Sequence, residues 1–184
     1  VGAVEDGRAL LDAATRLRPD LILLDISMPL LNGVDAARQL KKLLPDVKLI
    51  FVTMHADPAY VSEAFKAGAS AYLLKRSAAR ELEQAIDSVM KGQYFVTSLL
   101  TKDLVTTLSA GQAGLFAQRQ ELTPRQREVL QLIAEGRTIK EIASLLNISP
   151  KTVEFHKAQI IFHLNLRTTA ELTKYALAHG LTSA

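Results

Sequence analysis

Three short apolar runs mark the first half of the chain: Leu21-Ile22-Leu23-Leu24, Leu49-Ile50-Phe51-Val52 and Ala71-Tyr72-Leu73-Leu74. They are continuous rather than alternating, the pattern of strands covered on both faces in a parallel sheet. Between them lie helical patterns. Val34 to Leu44 has apolar positions at helical spacing, Asp57-Pro58 reads as a cap followed by proline at the first helical position, and Glu81 to Met90 repeats the spacing. This alternation predicts a doubly wound α/β domain. From Thr97 to Gln120 the chain turns rich in Ser, Thr, Gly and Gln and carries no strand signal, so it reads as a linker. From Leu122 onward the pattern is helical throughout. Thr123 to Gln126, Thr138 to Glu141 and Thr168 to Glu171 each place a capping hydroxyl three residues before Gln or Glu. Ser149-Pro150 starts a further helix, and Gly136 and Gly180 are placed to end the first and last of the four. The predicted organisation is residues 1–95, a linker over 96–120 and a small all-α domain over 121–184.

Composition narrows the chemistry. The 184 residues include no cysteine, which removes thiol catalysis, thiolate zinc sites and disulfides. The apolar runs are too short to span a bilayer and no basic-then-apolar leader opens the chain, so a soluble cytoplasmic protein without a membrane partner is expected. Residues 1–96 hold 12 basic and 12 acidic side chains and residues 97–184 hold 10 and 7, which places the whole net charge of +3 in the second half. Three of the four histidines lie there too, a mild sign of a module that faces nucleic acid.

Each strand run of the first half ends in a polar residue: Asp25, Thr53 and Lys75. Ligands of an open α/β sheet bind outside the carboxyl ends of its strands, so these three side chains should emerge along one edge. A carboxylate, a hydroxyl and an ammonium there suit acceptance of a phosphoryl group by Asp25, with the other two meeting its oxygens. Any one of them is an ordinary strand-ending polar residue; three in series favour a site. A phosphohydrolase reading calls for a second aspartate two residues on, where this chain has Ser27.

The stretches Asp25 to Gly33, Thr53 to Asp57 and Ala67 to Lys75 closely resemble the receiver domain of bacterial two-component response regulators. The resemblance implies a flavodoxin-like fold of strand order 2-1-3-4-5, with Asp25 as phosphoacceptor, Thr53 as switch hydroxyl, Tyr72 as the aromatic that changes rotamer and Lys75 paired with the phosphoryl group. It also implies Mg²⁺ in a complete receiver, held by Asp25, the Ser27 carbonyl and an acidic pair on a first strand. Val1 to Gly7 matches the receiver segment that lies after that strand and its helix, so both are expected to be missing here, leaving a remnant of the second strand unpaired and the edge of the Leu21–Leu24 strand exposed. Asp6 and Asp12 follow that remnant and do not replace the pair. The expectation is that this chain binds Mg²⁺ and accepts phosphate poorly.

In the second half, Thr138 to Leu146 and Ser149 to Leu164, separated by Asn147-Ile148, have the spacing of a helix-turn-helix. On the second of these helices Val153, Ile160 and Leu164 share one face, whereas Lys151, Glu154, Phe155 and Ala158 share another. Its first amides, with Lys151 and Thr152, are placed to hold a phosphate; Glu154 suits cytosine, and Phe155 or Ala158 a thymine methyl. By spacing alone, a helical packing domain with a solvated charged face reads equally well. Leu122 to Leu130, Lys140 to Ala143 and Ser149 to His156 strongly resemble the LuxR-type DNA-binding domain of the NarL/FixJ class. That resemblance implies a homodimer on double-stranded DNA, with the last helix, Glu171 to His179, at the dimer contact and His156 at the DNA backbone or on the packing seam. Ile139, Gln159, Phe162, His163 and Asn165 depart from the residues common in that class.

Taken together, the expectation is a transcriptional response regulator, not an enzyme, whose Asp25 is phosphorylated by a sensor histidine kinase. The alternative is a pseudo-receiver or truncated regulator that acts without phosphorylation, through constitutive DNA binding or protein contacts.

Overall fold

A computed structural model describes residues 2–101 and 122–182. They fall into two compact units: residues 2–26 with 33–101, and residues 27–32 with 122–182.

The first unit runs α1 (Gly7–Leu17), β1 (Leu21–Leu24), α2 (Gly33–Leu43), β2 (Lys48–Thr53), α3 (Pro58–Lys66), β3 (Ala71–Leu74), α4 (Lys75–Met90) and β4 (Phe95–Val96). All pairings are parallel, in the order β1-β2-β3-β4, with Leu24 opposite Phe51 and Thr53 opposite Leu74. Parallel strands need a crossover between them, and helices supply it, so β2 and β3 are covered on both faces, whereas the expected double cover fails on β1, where burial alternates. Ile50, Ala71 and Leu73 meet Ala85 and Val89 of α4 to form one core layer. Leu49, Phe51 and Tyr72 are also fully buried. On β1, Ile22 and Leu24 are buried and Leu23 is exposed, and no strand pairs with its outer edge among the described residues.

Three expectations need correction. No strand remnant precedes α1 in residues 2–6, because Asp6 turns the chain there into a helix cap, its carboxylate accepting from the Arg8 and Ala9 amides. α4 begins at Lys75, six residues before Glu81. Its first turns lack apolar periodicity but are built from Lys, Arg, Ser and Ala, and most are good helix formers. Phe95–Val96 is a strand, its length too short to leave a pattern. Of the expected linker, residues 102–120 lie outside the described residues, whereas Thr97 and Leu100 are buried and residues 98–101 are helical.

That segment is held by Glu81. Its carboxylate accepts from the Thr97 hydroxyl at 2.5 Å, the Ser98 hydroxyl at 2.6 Å and the Ser98 amide at 3.2 Å. Ser77 shares a further hydrogen bond with Thr97 at 3.0 Å.

In the second unit, α5 (Pro124–Ala134), α6 (Ile139–Leu146), α7 (Pro150–Leu164) and α8 (Thr169–Ala178) surround a core of residues such as Val129, Leu132, Ile142, Val153, Ile160 and Leu172. All three expected capping boxes form, at Thr123, Thr138 and Thr168, and Ser149 caps α7. Gly136 and Gly180 follow α5 and α8 in the left-handed conformation. Asn147 ends α6 in the same conformation at φ 52°, which its short polar side chain tolerates. Arg125 reaches from α5 to the Leu146 carbonyl at 2.7 Å, fixing the turn between α6 and α7.

Partial burial raises the Glu81 pKa, but the hydrogen bonds from Ser98, Thr97 and Ser77 outweigh it and hold the carboxyl below its ordinary value. Such a group contributes stability above its unfolded pKa of about 4.3, and that contribution disappears as pH falls through the lower folded value. Urea unfolding should therefore show Glu81→Gln less stable than the parent chain at neutral pH, the gap closing below about pH 4.

Candidate functional site

The C-terminal edge of the first unit's sheet gathers the three predicted side chains. Asp25 directly follows β1, Thr53 ends β2, and Lys75 follows β3 as the first residue of α4. Lys75 Nζ lies 2.6 Å from Asp25 Oδ2, with both side chains partly open to solvent. Thr53 is fully buried. An ammonium against a carboxylate at a strand edge can neutralise negative charge that builds on the carboxylate's oxygens.

Tyr72 is fully buried from its position on β3, its ring stacked on Phe51 at 6.3 Å. Its hydroxyl donates to the His55 carbonyl at 2.9 Å. Burial, and next the neighbouring Tyr60, Asp25 and Asp57, push the phenol well above its ordinary pKa, so it remains a donor throughout the physiological range. The His55 ring packs on Tyr60 at 4.4 Å. Burial lowers the imidazole pKa, against the opposing pull of Asp25, which keeps the ring mostly neutral at pH 7.

His55 and Gly33 entered the sequence reading only as members of the stretches Thr53 to Asp57 and Asp25 to Gly33, with no role of their own. The part His55 plays in holding Tyr72 comes from its backbone carbonyl, which leaves no trace in residue type. Gly33 opens α2, its amide donating to the Ile26 carbonyl at 2.8 Å, and an added Cβ would sit 1.9 Å from the Asp25 carbonyl oxygen. Only glycine allows that approach without shifting the backbone that carries Asp25.

Magnesium requires near-octahedral oxygen ligation, drawn from one or two carboxylates and several waters. Among the described residues no three acidic or histidine side chains cluster to hold a metal, Asp6 is engaged as a helix cap, and Asp25 already faces the Lys75 ammonium. The donors present do not fit Mg²⁺. Ser27, whose carbonyl is the other expected ligand, follows Asp25 by two residues.

In the second unit the expected nucleic-acid residues separate into two groups. Lys151, Glu154, Phe155 and Ala158 are exposed on α7, whereas Thr152 and His156 are half-buried. The Thr152 amide is engaged by the Ser149 carbonyl at 3.0 Å and hydroxyl at 3.1 Å, so the cap already uses this donor of the helix N-terminus. His156 lies edge-on to Phe155 with ring centroids 5.9 Å apart. Val153 and Ile160 are buried, and Leu164 packs partly against the same core. Phe162 is 89% exposed.

Two family profiles match the chain: the response regulator receiver domain over residues 1–87, and the bacterial regulatory proteins of the luxR family over residues 120–176. The transcriptional regulatory protein MctR of Rhizobium johnstonii is 34% identical over 174 residues, spanning 94% of this chain and 78% of that protein. This chain belongs to the luxR-family response regulators. The oxygen regulatory protein NreC of Staphylococcus epidermidis is 36% identical over 187 residues, spanning 98% of this chain and 86% of that protein. Among solved structures, the response regulator RcsB of Salmonella enterica serovar Typhimurium, bound to promoter rprA in the presence of the phosphomimetic BeF3-, is 29% identical. It superposes with a TM-score of 0.58 and covers 95% of this chain and 83% of that one. The response regulator reading is thus the transcriptional one, and the comparisons do not favour a pseudo-receiver. No described helix is long and apolar enough to cross a membrane.

Two substitutions test this geometry by urea unfolding. Tyr72→Phe should lose about 0.5–1.5 kcal/mol with its bond to the His55 carbonyl. Gly33→Ala should lose about 1–3 kcal/mol, because the new methyl forces the Asp25 backbone to move.

Proposed function

We propose that this response regulator is switched at Asp25, which accepts a phosphoryl group from the phosphohistidine of a sensor histidine kinase. The phosphorus–nitrogen bond of the donor breaks, a phosphorus–oxygen bond to the Asp25 carboxylate forms, and the donor imidazole takes up a proton. Lys75 meets the charge that arrives, Thr53 donates its hydroxyl to a phosphoryl oxygen, and Tyr72 follows the movement of Thr53. The single observation that carries this reading is the 2.6 Å contact between Lys75 and Asp25 at the sheet edge. The chain then acts as a regulator rather than an enzyme, in the cytoplasm. On this reading residues 1–95 are the core of the receiver, 96–120 the linker and 121–184 the DNA-binding domain, with the start of the linker, Val96 to Thr101, still packed on the receiver.

The output is binding of double-stranded DNA by a homodimer. Lys151 and the first turn of α7 with Thr152 meet phosphates, Glu154, Phe155 and Ala158 face base edges, and His156 touches the backbone.

Intact mass after incubation with phosphoramidate tests the phosphoacceptor. Slow gain of one phosphoryl group is expected, little changed by magnesium and absent in Asp25→Ala. Equal gain by that variant, or no gain by the folded parent chain, would remove Asp25 as the switch of this chain.

A further inference from the structure

The solvent face of α7 has little net charge for a surface that meets a polyanion. Lys151, Glu154, Phe155, Ala158 and Phe162 are exposed at spacings that keep them on one side of the helix. Lys151 and Glu154 cancel in charge, Lys157 lies half-buried at the edge of this face, and Phe155 and Phe162 stand 59% and 89% open to solvent. Packing does not account for either ring, since Val153 and Ile160 already fill the core side of this helix. Phosphate contacts supply the part of DNA affinity that is blind to sequence, and a nearly neutral face gains little from them. What this face offers instead is a carboxylate acceptor beside an apolar ring.

Those two groups have a defined complement in the major groove. Cytosine presents its N4 amine as a donor, adenine pairs its N6 amine with an N7 acceptor that faces a carboxylate badly, and thymine presents its C5-methyl group, the one apolar group on that edge. Guanine presents only acceptors there, which a carboxylate repels. Successive residues of an α-helix are about 100° apart around the axis and about 1.5 Å apart along it, a spacing that lets Glu154 and Phe155 reach different, neighbouring base pairs. We propose that α7 reads a step of adjacent pyrimidines, with Glu154 on a cytosine amine and Phe155, flanked by Ala158, on a thymine methyl. The C5-methyl of thymine then helps decide which sites are bound. Phe162 lies about 10 Å further along the axis. Recognition helices read bases through their N-terminal residues, so Phe162 stands outside this contact.

The proposal rests on the reading of the chain as a DNA binder, and one experiment separates the two. Duplexes enriched by the full chain from a random-sequence pool are resynthesised with deoxyuridine in place of thymidine, which removes the methyl alone. Affinity is then measured by fluorescence anisotropy at fixed salt. The parent chain should bind the deoxyuridine duplexes about fourfold more weakly for each thymine methyl that Phe155 no longer meets. Phe155→Ala should bind both kinds equally, and Phe162→Ala should still discriminate. Equal binding of both duplexes by the parent chain, or discrimination that survives in Phe155→Ala, overturns the proposal while leaving DNA binding intact. Failure to enrich any duplex overturns the DNA-binding reading beneath it.

Discussion

Parallel pairing of β1, β2 and β3 is the constraint from which the chemistry of the first unit follows. Strands that run the same way release the chain at the same edge, and each return must be made by a helix on a face of the sheet. Asp25, Thr53 and Lys75 stand together because each lies where the chain leaves a strand, and the register Thr53 opposite Leu74 sets Lys75 just beyond Thr53. The same constraint requires both faces to be apolar, and it closes the space in which Tyr72 finds the His55 carbonyl. The polar edge and the hydrophobic core are thus two results of one pairing pattern.

The second unit solves a different problem. Its helices are short, from 8 to 15 residues, and helices of this length are marginal on their own. Each therefore begins at a hydroxyl side chain that satisfies an amide, a device that contributes about 1 kcal/mol per helix. Packing of α5 against α7 and α8 supplies the rest, and the Arg125 bond to the end of α6 holds the turn that sets the angle of α7. The face of α7 opposite that core is left exposed.

Much of this was readable in advance, and the parts that were not have physical reasons. Continuous apolar runs and capping hydroxyls are local signals, and Leu21–Leu24 and the three capping boxes appeared where those signals stood. The start of α4 escaped because Lys75 to Arg80 show no apolar stripe. β4 escaped because two residues carry no period, and its pairing with Ala71 and Tyr72 is a tertiary fact. In the site, the Asp25–Thr53–Lys75 set was legible from residue type and position. The contributions of the His55 carbonyl and of Gly33 were not, since one is made by the main chain and the other by the absence of a side chain. The exposure of Phe155 was legible from the separate face of Val153, Ile160 and Leu164, whereas that of Phe162 was seen only in the structure.

The beginning of α4 at Lys75 joins two positive features that usually avoid each other. A helix N-terminus carries a partial positive charge and ordinarily favours acidic residues, yet here its first residue is a lysine, held by Asp25. The helix is therefore under electrostatic tension at that end, relieved by a single carboxylate. A doubly charged group on Asp25 would relieve it further and tighten the first turn of α4. Two turns along the same helix, Glu81 grips Thr97 and Ser98, so one helix carries the ion pair with Asp25 at its start and the root of the following segment further on.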